Sequence, residues 1–236
     1  VIVGKKLNRT EAGEVIYENG LPTFDDKVSV LGNGNYDFTL GFRNAFSYKN
    51  LSMSVLVDMK FGADVYSMSK MQSHVNGTSK ETLEGRKGWY ASEQARLSAN
   101  VDAKDWTPTG GYVGKGVKAV TDADGNVSYV PNDVYVDPAK YWQALQNSSP
   151  EPFICDNSFV KLREVSLSYS CPKKWFVHTP IESVTLSAYG RNLLLIYSKV
   201  DNIDPESSYN NGNGQGFEYG SLPSRRTFGF GINVKF

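Results

Sequence analysis

Phe38-Thr39-Leu40-Gly41-Phe42-Arg43-Asn44-Ala45-Phe46-Ser47-Tyr48, then Lys49-Asn50, then Leu51-Ser52-Met53-Ser54-Val55-Leu56-Val57-Asp58-Met59-Lys60-Phe61, is the stretch that decides the fold. In the first run Phe38, Leu40, Phe42, Phe46 and Tyr48 share one parity, broken only at Asn44. In the second, Leu51, Met53, Val55, Val57, Met59 and Phe61 do the same. Side chains two apart lie on one face of a strand, so each run has an apolar face and a largely polar one. Two residues join the runs, which predicts a tight hairpin.

Three further segments alternate. Phe159–Cys171 does so from Val165 onward, with Val165, Leu167 and Tyr169 opposite Ser166, Ser168 and Ser170. Lys161 and Arg163 share the apolar parity and are placed beyond any membrane band. Ser183 to about Gly190 sets Val184, Leu186 and Ala188 against Ser183, Thr185 and Ser187. Its parity breaks at Leu193–Tyr197, where a bulge or loop start is expected. Thr227–Phe236 ends the sequence with Phe228, Phe230, Ile232, Val234 and Phe236 on one side. Each run is near the roughly 9–11 residues that cross a bilayer as a tilted strand. Arg163 and Glu164, being adjacent, point to opposite faces of a regular strand and should not pair.

The 236 residues are 40% hydrophobic and 13% aromatic, with zero formal net charge. No basic excess suggests a nucleic-acid partner. Mean hydropathy is −0.40. The longest apolar run, Leu193 to Tyr197, is far short of the ~20 residues of a membrane helix. Barrel strands also have low mean hydropathy, so composition leaves open a soluble β domain or a membrane barrel.

The connections favour the barrel. Lys49-Asn50 is short and Pro172–Ile181 moderate, whereas Gly62–Asn157 and Ser198–Arg226 are long. Short turns on one side and long loops on the outer side are the bacterial barrel habit. Within the longest loop, Asp137-Pro138 predicts a helix start, with Asp as N-cap and Pro as first helical residue. Thr121–Asn126 predicts a hairpin turn. The expected organisation is a lead-in loop over 1–35, a spanning hairpin over 36–61, and a long external loop with short helices over 62–157. Two spanning strands follow over 158–197, a second external loop over 198–225 and a last spanning strand over 226–236.

Several residues now resemble the SusC/RagA family of TonB-dependent importers. Phe159-Val160-Lys161-Leu162-Arg163-Glu164-Val165-Ser166-Leu167-Ser168-Tyr169 is the most specific match. Asp37–Phe42 with Tyr48–Leu51, Gly190-Arg191-Asn192-Leu193 and Asn202-Ile203-Asp204-Pro205-Glu206 accompany it in the family's order. The resemblance covers about 31–61 and 158–236 and misses most of 62–157. It departs at Gly32–Tyr36, where the family usually has Asn-Pro.

The resemblance implies the last five or so strands of a 22-stranded, plugged transmembrane β-barrel. It also implies an export signal that lies upstream or has been removed, a plug outside this chain, and further strands from another part of the same polypeptide or from another chain. The implied function is import of an oligosaccharide or a peptide across the outer membrane, driven through the TonB complex. The implied partners are a SusD-like surface lipoprotein and the barrel-assembly machinery, which reads the terminal Phe236. Two alternatives stand beside it: a siderophore or vitamin receptor of the same architecture, and a soluble glycan-binding β-sandwich.

In the barrel, Phe42, Val55, Val57, Val165, Leu167, Val184, Leu186, Phe230, Ile232 and Val234 face lipid. Arg43, Asp58 and Lys60 lie on the polar face, lining a substrate path, touching the plug, or facing a plain solvated lumen. In the long loop, Trp89, Tyr90, Trp106, Tyr112, Tyr141 and Trp142 either contact substrate or partner or pack the loop against itself. No catalytic constellation stands out, and no cofactor is implied. His74 and His178, expected in a loop and a turn, have no His or Cys at metal-ligand spacing. Asp122, Asp124 and Gly125 open like a calcium loop, but the later ligand positions do not follow. Cys155 and Cys171 are too few for a disulfide scaffold.

Overall fold

The computed structural model describes residues 1–201, 203–207, 212 and 214–236. Asn202, part of one family-like motif, lies outside them. The described chain is mainly β and divides into two compact units, one of residues 33–65 with 155–236, the other of residues 1–32 with 66–154.

The first unit is built on a five-stranded antiparallel sheet. Its strands are β1 (Phe38–Tyr48), β2 (Leu51–Phe61), β3 (Phe159–Ser170), β4 (Ser183–Ser198) and β5 (Thr227–Lys235). They lie in the order β5-β4-β3-β2-β1, so sequential neighbours pair throughout. The sheet does not close on itself within the described residues. Lys49 has φ 53°, the left-handed value that a two-residue hairpin turn requires.

Register carries the alternation across all five strands. Phe42 pairs Val57, Val55 pairs Val165, Leu167 pairs Ala188, and Leu186 pairs Ile232. The apolar residues therefore form one continuous face, and much of it is uncovered: Phe228 is 66% exposed, Ile232 72% and Phe230 88%. Phe42, Leu167, Leu186 and Val234 are also exposed, and Val55, Val57, Val165 and Val184 are partly so. A sandwich closed within this chain would bury these side chains. On the opposite face Tyr189 lies over Gly229, where a Cβ would come within 2.4 Å of its ring. Gly229 thus opens the space for that ring.

Two sequence expectations need correction. Lys161 and Arg163 do not share the apolar face. Between Leu162 and Glu164 the register with β2 slips by one residue, because Leu162 pairs Val57 while Glu164 pairs Leu56. This β-bulge inverts the parity of the strand. Val160 and Leu162 now lie with Val165 on the apolar face, and Lys161 lies opposite Asp58. Secondly, Arg163 and Glu164 both serve the polar face, although they do not pair with each other. The bulge expected near Leu193 is present, with Asn192 at φ 52° and further register shifts, but β4 continues through it to Ser198.

The second unit holds most of the long loop. Helices α1 (Met68–Val75), α2 (Arg86–Ser98) and α3 (Pro138–Ser148) belong to it. Asp137 caps α3 by accepting from Ala139 N at 2.9 Å, with Pro138 in the first turn, as the sequence predicts. The Thr121–Asn126 turn joins strands Val117–Thr121 and Val127–Pro131. The Asp122 carboxylate accepts from the N–H groups of Asp124 (2.9 Å) and Asn126 (2.8 Å). Those bonds tie the Asp122 carboxylate into its own turn. Residues 1–32 fold with this unit rather than forming a plain lead-in. Ile2–Leu7 pairs Phe24–Gly32, and Ile16–Glu18 pairs Val117–Thr121 in parallel.

Cys155 precedes β3 and Cys171 follows it, about 12 strand residues apart, on the order of 40 Å at roughly 3.3 Å per residue. A disulfide needs Cα atoms within about 7 Å. Non-reducing peptide mapping of the complete protein is expected to find no Cys155–Cys171 link. Finding it would overturn β3 as a single uninterrupted strand.

Candidate functional site

The polar face carries a dense ion-pair cluster where β2 ends, β3 begins and β4 ends. The β3 bulge brings Lys161 and Arg163 to this face together with Glu164, because the extra residue turns the successive side chains of Arg163 and Glu164 toward one side. The Lys161 side chain is 5% exposed, and its ammonium donates to Asp204 (3.2 Å), Glu206 (2.7 Å) and the Ser224 hydroxyl (2.9 Å). The Arg163 guanidinium grips Glu206 through both nitrogens, at 2.8 and 2.5 Å. It also donates to Asp58 (2.6 Å) and to the Asn192 side-chain carbonyl (2.8 Å). Such planar, charge-assisted forks are strong and directional. Glu164 accepts from Arg191 Nε at 2.7 Å, and Arg43 lies 3.6 Å from its other oxygen.

Aromatic rings flank this cluster. Phe159 is fully buried and meets Tyr36 edge-on, with centroids 6.3 Å apart. The Lys60 ammonium sits 5.4 Å from the Tyr36 ring and 5.8 Å from the Phe159 ring, within cation–π range. Asn157 donates to both the Tyr36 hydroxyl and the Pro205 carbonyl, each at 2.9 Å. Asp58 and Lys60 are thus engaged with protein groups, whereas Arg43 is 62% exposed and only approaches Glu164. The decisive residues to which the sequence reading gave no site role are Lys161, Arg163, Glu164, Arg191, Asp204 and Glu206. They come from three of the motifs that carry the resemblance, and the structure joins those three into one cluster.

Burial raises the Asp204 and Glu206 carboxyls, but their partners outweigh it. The Ser224 hydroxyl and two backbone N–H groups hold Asp204 below the usual carboxylate range, and Arg163 with Lys161 hold Glu206 below it. A depressed folded value means the attachment is complete above about pH 4 and is lost as pH falls below that. Glu206→Gln removes charge-assisted bonds worth about 1.5–3 kcal/mol each. In the assembled protein, limited proteolysis of the 198–225 loop is expected to be faster for Glu206→Gln at pH 7. Acidification below about pH 4 should accelerate wild type more than the variant. Equal cutting under both conditions would contradict an ion-pair anchor for this loop.

The loop aromatics are mostly packing. Tyr112 and Tyr141 are buried with Tyr17, Leu145 and Phe153 in the core of their unit. The Tyr112 and Tyr141 rings lie 4.4 Å apart. Burial pushes the Tyr141 hydroxyl up, and its hydrogen bond with Tyr17 at 3.3 Å adds to this. Trp106 Nε1 donates to Ser92 Oγ at 3.1 Å. Tyr90 is exposed. His74 lies in helix α1, not in a loop. It is buried, with Nδ1 2.8 Å from the Lys70 carbonyl and Nε2 2.5 Å from Glu81. His178 is exposed in a turn, as expected. Trp89 and Trp142 line a cavity of about 310 Å³, and Trp142 also packs against Tyr141, with ring centroids 5.2 Å apart.

No family model matches the chain. It is similar to two proteins of Formosa agariphila. TonB-dependent receptor P3 is 27% identical over 222 residues, which is 92% of this chain and 18% of the relative. TonB-dependent receptor P26 is 29% identical over 240 residues, 100% of this chain and 20% of the relative. The chain therefore spans about a fifth of the length of these relatives. Among solved structures, the RagAB peptide importer in its closed-closed state aligns with a TM-score of 0.56 at 16% identity. That alignment covers 99% of this chain and 23% of the other. The RagAB peptide transporter aligns with a TM-score of 0.53, also at 16% identity, over 99% of this chain and 22% of the other. These structural likenesses speak for the fold. Together with the sequence matches they bear out the resemblance to SusC/RagA-type TonB-dependent transporters.

Proposed function

We propose that the five strands are one arc of a transmembrane barrel in an outer-membrane, TonB-dependent importer of oligosaccharides or peptides. The observation that carries this reading is the sheet itself. Five consecutively paired strands, each long enough to cross a bilayer, present a continuous uncovered apolar face and an opposite polar face. Lipid offers no partners to an open sheet edge, so the edges of β1 and β5 must pair with further strands of the complete barrel. The apolar residues from Phe42 to Val234 named above face lipid, and the polar face lines the interior.

In this reading the chain supplies wall, loops and assembly signal, not covalent chemistry. The ion-pair cluster holds the 198–225 loop against the inner face at the external end of the barrel. A SusD-like lipoprotein caps that end, and TonB acts through a plug formed elsewhere in the complete protein.

The test is growth of cells lacking the complete protein on a panel of oligosaccharides and peptides as carbon source. Growth on at least one member is expected to be lost. The intact gene should restore it, but not in cells lacking TonB. Unchanged growth on the whole panel, or TonB-independent rescue, would contradict the importer reading.

A further inference from the structure

We infer that the cavity walled by Trp89 and Trp142 is a binding site for a neutral sugar ring of the transported ligand, which rests on the importer reading above. The cavity measures about 310 Å³ and is bounded by the end of α1 (His74 to Gly77), by Thr82, Arg86 and Trp89, and by the start of α3 (Asp137 to Ala139) with Trp142. Its size is at the low end of small-molecule pockets, about 300–1,000 Å³, and suits one ring rather than a long chain segment.

The wall chemistry selects the ligand class. Two indoles supply flat apolar faces of the kind that cover the C–H side of a sugar. The charged groups are already committed. Arg86 Nε donates to the Thr82 carbonyl at 2.7 Å, and its Nη2 donates to the Gly77 carbonyl (2.5 Å) and the Thr82 hydroxyl (2.6 Å). Asp137 caps α3 through Oδ1. A neutral polyol needs only what is left over: Arg86 Nη1 as donor, Asp137 Oδ2 as acceptor and the indole faces.

The buried Trp142 Nε1 has no hydrogen-bond partner. An unmet buried donor is costly, and a small ring reorientation on ligand entry would give it a hydroxyl oxygen. The neighbouring His74 ring, 4.4 Å from the Trp142 ring, is tied to Lys70 and Glu81 and holds the back of the cavity.

The experiment uses the complete protein purified in detergent, with intrinsic tryptophan emission as readout. It is titrated with neutral hexasaccharides of glucan, mannan and xylan backbones and with random-sequence hexapeptides. At least one hexasaccharide is expected to shift the emission saturably. Trp89→Ala should weaken that binding at least about tenfold, as removing a central aromatic anchor does. Because Trp89→Ala could disturb packing, Ala139→Trp is the second variant. Ala139 is exposed at the cavity rim, so the substitution fills the space and removes no contact, and it should weaken binding equally.

Outer-membrane level and heat-modifiable mobility of both variants should match wild type, which separates failure of this site from failure of the barrel. Saccharide binding that both variants retain would overturn the proposal. So would a response to hexapeptides alone, or none to any saccharide.

Discussion

Deletion of Phe236 from the complete protein is expected to remove most of its outer-membrane insertion while leaving its synthesis unchanged. Phe236 follows directly on β5 and is 79% exposed. Within this chain its ring covers little, and the last hydrogen bond of the sheet edge, Glu182 N to Lys235 O at 2.7 Å, does not involve it. Chain ends of that kind usually fray, and deleting one residue from a soluble sheet costs little. A large loss therefore cannot come from packing inside the chain. It would come from the step at which β5 is handed to the assembly machinery and must find a partner on its free edge, because lipid satisfies no backbone group. The measurement is surface-exposed protein in wild-type and deletion cells, normalised to total synthesis. Normal surface levels would remove the assembly-signal role of Phe236.

The hairpin of β1 and β2 was legible to the residue, because eleven-residue alternation on either side of Lys49-Asn50 leaves one register that keeps both apolar sets together. The start of β3 was not. Sequence shows Lys161 and Arg163 on the apolar parity, and nothing local says that one inserted residue inverts it. The slip becomes visible only against β2, where Leu162 and Glu164 meet adjacent residues.

The ion cluster was illegible for a related reason. Lys161 and Arg163 find Asp204 and Glu206 more than forty positions away, and no periodicity links strand to loop. Residues 1–32 lack long alternating runs, and one of their short strands, Ile16–Glu18, finds a partner at Val117–Thr121, about a hundred residues on. The helix at Asp137-Pro138 was readable because a cap acts within one turn. The long loop's aromatics were readable as a set. Separating the packed Tyr112 and Tyr141 from the cavity-lining Trp89 and Trp142 needed the fold.

The central claim is that one face of the sheet meets lipid and the other does not, and neighbouring residues of β2 test it most directly. Val55 lies on the apolar face between Asn44 of β1 and Val165 of β3. Ser54 lies on the opposite face between Ala45 and Ser166. The two positions share strand, depth and neighbours in sequence, so propensity and folding order affect them alike. An arginine facing lipid near the bilayer midplane costs about 2–4 kcal/mol, whereas a lumen-facing one costs little. Since 1.4 kcal/mol is about a factor of ten, the difference is large. In the complete protein, Val55→Arg is expected to lower the amount of heat-modifiable, assembled barrel in the outer membrane severely, with Ser54→Arg close to wild type. Equal assembly of the two variants, or the reverse order, would contradict a spanning strand at β2 and with it the barrel.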